Sequence, residues 1–239
     1  MSICIIPARS KSVRIKNKNI INFFGKPIIA YAIDVAKKSK LFKRIIVSTD
    51  SKKIAKIAIK YGAEVPFLRS KKLSDNYTTT TDVIIDSIQK VSSKNDIICC
   101  CIYPTSVLIN KNDLIKSYKK IKKLNADLLV AITRYNHSPL RSFERKKLNW
   151  INYKYKKYAF ARSQDLEDLY YDTGSFYFYN ISSLLNNRNI YLSKKITYFE
   201  INCERSVDIN DPQDLQIAKA KYILIKNFNK LSPKSSFKL

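Results

Sequence analysis

Between Ile3 and Asn19 an apolar run stops at Pro7. It gives way to a polar loop carrying Arg9, Lys11, Arg14, Lys16 and Lys18, with Ser12 and Asn19 among them. Cations at this density after a buried strand suit a polyanion, because ligands of open α/β sheets sit beyond the carboxyl ends of the strands. Far along the chain, carboxylates gather just before the last helical stretch, at Asp208 and Asp211. Cations near the first strand and carboxylates near the last helix suit phosphoryl or nucleotidyl transfer, in which positioning, Lys/Arg side chains and Mg²⁺ carry most of the work.

Other chemistries are disfavoured by what is missing. With glycine only at 25, 62 and 174, neither a dinucleotide fingerprint nor a P-loop can be written in this chain. One histidine, His137, gives little support to Ser-His-Asp catalysis or a histidine-rich zinc site. Cys4, Cys99, Cys100, Cys101 and Cys203 lack CxxC spacing and read as reduced, buried thiols, with strand alternation sending Cys99 and Cys101 to one face and Cys100 to the other. The net charge of +26 invites a nucleic-acid partner. The lysines, however, are spread along the whole chain and no recognition motif accompanies them, so solvated faces are the reading and no nucleic acid is expected. No apolar run approaches the ~20 residues of a membrane span, so no insertion in a membrane is expected and a cytoplasmic location is the default.

The elements that must position these groups alternate. Strands are expected at Ile3–Pro7, Arg44–Thr49, Glu64–Leu68, Ile97–Tyr103, Asp127–Thr133, Ser175–Tyr179 and Ile196–Ile201. Helices are expected from Pro27 to Lys38, over Ser51–Tyr61, Thr78–Val91 and Asp113–Leu124, and from Pro212 to about Ile225. That order implies an α/β fold with a doubly wound, mostly parallel sheet. Between Tyr135 and Ala161 short aromatic, lysine-rich segments break the pattern and read as an inserted hairpin, a lid or dimer contact, which makes a homodimer the expected assembly. One domain is expected over 1–226, followed by a basic tail at 227–239.

Ile5-Ile6-Pro7-Ala8-Arg9 with Ser12, Arg14-Ile15, Lys18-Asn19 and Phe24-Gly25-Lys26-Pro27 resembles the opening of the sugar-acid cytidylyltransferases, the CMP-sialic acid synthetase family. Ser48-Thr49-Asp50, the stretch from Tyr61 to Arg69, Tyr103-Pro104-Thr105-Ser106, Arg162 to Leu166 and Val207-Asp208-Ile209 continue the resemblance in order, so that it covers roughly 3–220. Pro139-Leu140-Arg141, Tyr103 and Asp172-Thr173-Gly174 resemble the pseudaminic acid branch, with sialic and legionaminic acids as alternative substrates.

The resemblance implies a Rossmann-like nucleotidyltransferase fold that transfers CMP from CTP to the anomeric hydroxyl of a nine-carbon sugar acid, releasing pyrophosphate. It implies that Arg9, Ser12, Lys18 and Asn19 hold the triphosphate, with Arg9, Lys18 and Asp208 catalytic, and that Ala8, Arg69, Pro104, Thr105 and Ser106 recognise cytidine. Arg162, Gln164, Asp165 and Asp172 would bind the sugar acid, and Asp208 with Asn210 would hold Mg²⁺. Three departures stand out. The usual Asp-x-Asp is Asp208-Ile209-Asn210, Val13 replaces a lysine, and Ser10-Lys11 replaces Gly-Gly, which removes freedom at positive φ. They keep open a weakly catalytic nucleotide-binding relative, and a nucleotidyltransferase using another base is the rival enzyme.

Overall fold

The computed structural model describes residues 1–12 and 14–231; Val13 and 232–239, the end of the expected tail, lie outside them. The elements in chain order are β1 (Ser2–Pro7), β2 (Asn22–Phe23), β3 (Lys26–Pro27), α1 (Ile29–Ser39), β4 (Arg44–Ser48), α2 (Lys52–Lys60), α3 (Thr80–Val91) and β5 (Ile98–Ile102). There follow α4 (Lys111–Leu124), β6 (Leu128–Arg134), β7 (Phe143–Arg145), β8 (Ile151–Tyr153), β9 (Tyr170–Asn180), α5 (Ile181–Asn186), β10 (Ile196–Glu200) and α6 (Pro212–Leu231).

Six strands form one sheet in the order β10-β6-β9-β5-β1-β4. β1 lies parallel to β4 and β5, and β10 parallel to β6, while β9 runs antiparallel between β5 and β6. Strands buried on both faces read as continuous apolar runs, which is why Ser2–Ile6 and Ile98–Ile102 are buried throughout. On one face Cys4, Ile6 and Cys100 pack with Ile29, Ala32 and Ile33 of α1; on the other Ile3, Ile5, Cys99 and Cys101 pack with Ile84 and Ile88 of α3. The expected alternation of Cys99 and Cys101 against Cys100 is thereby met, and all five thiols are free.

Local chemistry sets the boundaries. Ser51 accepts from the Ile54 N–H to start α2, Thr79 accepts from Asp82 to start α3, and Asn110 with Asp113 forms a capping box at α4. Four expectations are corrected. The helix read from Pro27 begins at Ile29, because Pro27 pairs with Asn22 in a two-residue ladder. Glu64–Leu68 makes only the isolated bridges Ile46↔Glu64 and Thr49↔Leu68, since Pro66 between them has no N–H to give. β9 is eleven residues long rather than Ser175–Tyr179. The last helix runs to Leu231, taking in the first residues of the expected tail.

In the Tyr135–Ala161 stretch, β7 and β8 pair as the expected hairpin, turned by Leu148 and Asn149 at positive φ. The carboxyl ends of β1, β4, β5 and β6 lie at one edge of the sheet. The antiparallel β9 brings its first residues, Tyr170 to Gly174, to that same edge.

Candidate active site

The loop after β1 is fixed by its own polar side chains. Ser10 donates from its N–H and its Oγ to the two oxygens of Asp50, at 2.7 and 2.6 Å, tying the loop to the end of β4. Asn19, nearly buried, donates to the Arg9 carbonyl at 2.9 Å. Neither Ser10 nor Lys11 takes a positive φ; Asn17 does, at 56°. Ser10 and Lys11 thus take backbone conformations that need no glycine, and Ser10 anchors the loop.

That loop forms one wall of a cleft enclosing about 500 Å³ at the carboxyl edge. The structure brings Arg9, Ser12, Lys18, Asn19, Arg69, Pro104, Thr105, Asp208 and Asn210 together around it. Lys18 donates to the Ile209 carbonyl at 2.8 Å, so the β1 loop touches the segment that carries Asp208. Burial lowers the Lys18 pKa from its ordinary 10.5; the Asp208 charge opposes this, and Arg14 and Arg9 add to it. Arg69 is only 6% exposed, donates from Nε to Ser74 Oγ at 3.3 Å, and keeps a buried Nη2 with no hydrogen-bond partner. Buried donors are normally paired, so this nitrogen is an unmet donor on a residue that lines the cleft.

Arg9 donates from Nη1 to the Asp75 carbonyl at 2.6 Å, and the Asp75 carboxylate accepts from the Tyr77 and Thr78 N–H groups. These contacts fold the 70–79 loop over the cleft, which adds Leu73, Asp75, Asn76 and Thr78 to its lining. Thr80 and Tyr103 join their hydroxyls at 2.8 Å across the same wall. Sequence reasoning assigned none of these to the site. The Thr78-Thr79-Thr80 run signalled only a helix cap, and Asp75 gave no sign of its role.

Ala8 and Ser106 do not line the cleft. The Ala8 N–H donates to Ser48 O at 2.8 Å and Ser106 Oγ to Ser175 O at 2.7 Å, so both brace the wall from behind. The sugar-acid set lies elsewhere. Arg162 forks onto both Asp165 oxygens at 2.7 and 3.0 Å, exposed to solvent. Gln164 lines a second cleft, of about 540 Å³, with Arg134, Tyr135, His137 and Arg141. Asp172 accepts the Tyr177 hydroxyl proton at 2.9 and 2.8 Å and the Gly174 N–H at 2.9 Å. It thus shapes the turn at Gly174, whose φ of +60° favours glycine and whose missing Cβ faces the Asp208 carboxylate.

Among the described residues no three His, Cys, Asp or Glu side chains converge as a metal cluster. The first cleft offers two carboxylates, Asp75 and Asp208, among four cations, Arg9, Arg14, Lys18 and Arg69, and the Asp75 carboxylate is already taken by the Tyr77 and Thr78 N–H groups. An excess of fixed positive charge over carboxylate suits a ligand that is itself polyanionic and brings most of a cation's oxygen ligands with it.

Residues 3–231 match the family model described as "Cytidylyltransferase". The chain is 39% identical over 223 residues to a pseudaminic acid cytidylyltransferase of Campylobacter jejuni, covering 92% of this chain and 96% of that one. It is 28% identical over 222 residues to an N-acylneuraminate cytidylyltransferase of Escherichia coli, covering 90% of this chain and 51% of that one. The structure of CMP:2-keto-3-deoxy-manno-octonic acid synthetase complexed with CTP superposes with a TM-score of 0.70 at 14% identity, over 95% of this chain and 99% of that one, a likeness of fold.

Proposed function

The chain belongs to the cytidylyltransferase family, and from that premise we propose that it transfers CMP from CTP to the anomeric hydroxyl of a nonulosonic acid, pseudaminic acid foremost. The hydroxyl oxygen forms a bond to the α-phosphorus, the bond from that phosphorus to the bridging oxygen breaks, the hydroxyl proton is lost, and pyrophosphate leaves. One observation carries the reading. Lys18 and Arg9 line the same cleft as Arg69, whose buried Nη2 has no partner.

In this reading Arg9, Ser12, Lys18 and Asn19 hold the triphosphate, and Lys18 offsets charge that grows on the α-phosphoryl oxygens and the leaving group. Arg69 would donate to an acceptor of the cytidine, with Pro104 and Thr105 lining the same cleft. Asp208 fits Mg²⁺, which binds through one or two carboxylates plus substrate phosphates and keeps several waters; when bound, the ion would neutralise charge on the phosphates. Gln164 lines the second cleft with Arg141, which makes no ion pair among the described residues and would match a sugar-acid carboxylate, whereas Arg134 is paired with Asp168 in the same lining. Arg162 and Asp165 adjoin Gln164 in sequence. Exposed apolar side chains on the β7–β8 hairpin support a homodimer. No described helix is long and apolar enough to cross a membrane.

The test is pyrophosphate release from CTP and Mg²⁺ with pseudaminic, legionaminic or N-acetylneuraminic acid, with UTP and ATP as controls. Release with CTP and one sugar acid is expected. A second reading, nucleotide binding without turnover, is favoured by Asn210 standing where the family has a second carboxylate; CTP-dependent thermal stabilisation with no release from any acid would establish it instead.

A further inference from the structure

The segment carrying Asp208 is held at three points. Lys18 takes the Ile209 carbonyl at 2.8 Å. The N–H groups of Asn210 and Asp211 donate to Asp214 Oδ2 at 2.8 and 3.0 Å, the start of α6. The third point is a relay of side chains: Arg14 donates from Nη2 to Asn210 Oδ1 at 2.8 Å, and Asn210 donates from Nδ2 to Asp208 Oδ2 at 2.6 Å.

We propose that Arg14 and Asn210 are positioning residues that act as one unit on Asp208, with the amide as a neutral bridge between a first-loop cation and the carboxylate facing the triphosphate. The inference rests on the functional reading above. Its physical basis is the donor and acceptor content of the amide. An amide has an acceptor for the guanidinium and a donor for the carboxylate, whereas an ionised carboxylate at position 210 could accept from Arg14 and could not donate to Asp208. Asp208 thereby keeps its charge without a second carboxylate at position 210, its orientation fixed from the loop after β1. Exposed polar pairs contribute little to stability, so the relay is expected to show in the placement of Asp208 and not in the melting temperature. Arg14 also lines the cleft, so the experiment must separate its action through Asn210 from any direct contact with the nucleotide.

The experiment is a double-mutant cycle of Arg14→Ala, Asn210→Ala and the double variant, read in two ways. The first is kcat and KM for pyrophosphate release; the second is CTP affinity by calorimetry with Mg²⁺ and with EDTA. Each single variant should lower kcat by about tenfold, and the double variant should fall no further than the weaker single one. That corresponds to a coupling of about 1.4 kcal/mol. The gain in CTP affinity that Mg²⁺ provides should shrink equally in all three, with affinity in EDTA little changed for Asn210→Ala. Arg14→Lys, which can still donate to Oδ1, should recover most of the loss. Losses that multiply in the double variant, or an Arg14→Ala loss already complete in EDTA, would overturn the relay, since Arg14 would then act on the nucleotide by itself. Should the wild-type chain release no pyrophosphate with any sugar acid, the functional reading fails on its own, and the Mg²⁺-dependent part of CTP binding still decides the coupling.

Discussion

Lys18 and Ile209 are 191 positions apart in sequence, yet the Lys18 ammonium lies 2.8 Å from the Ile209 carbonyl oxygen. That contact joins the cation-rich loop after β1 to the segment bearing Asp208, so one side chain both presents charge to the cleft and closes it. Lys18→Ala should cut turnover by about 10³-fold, the scale for removing one oriented charge at a developing anion. The melting temperature should stay within a few degrees, because only one partly buried hydrogen bond is lost. Pyrophosphate release and thermal circular dichroism measure the two effects; turnover at the wild-type rate would remove Lys18 from the mechanism.

The same lysine gives a pH dependence. Burial holds its pKa below 10.5 against the opposing pull of Asp208. Only the protonated form attracts phosphate, so CTP affinity should be full below that lowered pKa and decline as pH rises through it. The decline should start earlier than for a free lysine. Lys18→Arg remains charged over the same range and should bind CTP with an affinity flat with pH. Calorimetric titrations from neutral to alkaline pH check this, and an identical decline in both proteins would assign the titration to another group.

Much of this arrangement was legible in the sequence because strand ends and local caps are local chemistry. The stop at Pro7, the threonine run that caps α3 and the run of three cysteines in β5 each name a position without reference to the rest of the fold. What was not legible depends on long-range pairing. Tyr170–Asp172 joins β9 only because it lies beside Ile132–Arg134 of β6, and its own polarity shows no strand alternation. The Arg162–Asp165 pair and the Asp172–Tyr177 bond likewise spend groups expected to await a sugar on neighbours three and five residues away. Spacing reveals the residue types and not their partners.

Arg69 makes a prediction of two signs. Its guanidinium is buried and incompletely paired, which costs the empty protein desolvation energy. Arg69→Met should therefore leave the melting temperature of the ligand-free protein unchanged or raise it, while weakening CTP by about 1.5–3 kcal/mol, the range for hydrogen bonds to charged groups. A variant that loses stability and keeps CTP affinity would make Arg69 a structural cation.

Asn210 offers a charge test. Asn210→Asp places a second carboxylate beside Asp208, within the present 2.6 Å contact, where like charges repel unless a cation lies between them. The Mg²⁺ concentration for half-maximal turnover should fall, and stability in EDTA should fall with it. An unchanged Mg²⁺ titration would put position 210 outside the reach of the ion.

The hairpin carries the last prediction. Leu148, 89% exposed, and Trp150, 71%, lie in the turn of the hairpin, with Phe143 and Ile151 also exposed on the two strands it joins. Apolar side chains grouped this way mark an interaction surface, whereas single ones do not. A twofold pairing of hairpins would cover them with the same residues on both sides. Light scattering should then give a mass near twice 27.8 kDa for the chain, and Leu148→Glu with Trp150→Glu should reduce it to one copy. These side chains extend into solvent, so the monomeric variant should retain its melting cooperativity. It should lose turnover only to the extent that the second cleft, lined by Phe143 and Arg141 next to the hairpin, depends on the partner for its shape. A wild-type chain already monomeric at micromolar concentration would rule the pairing out.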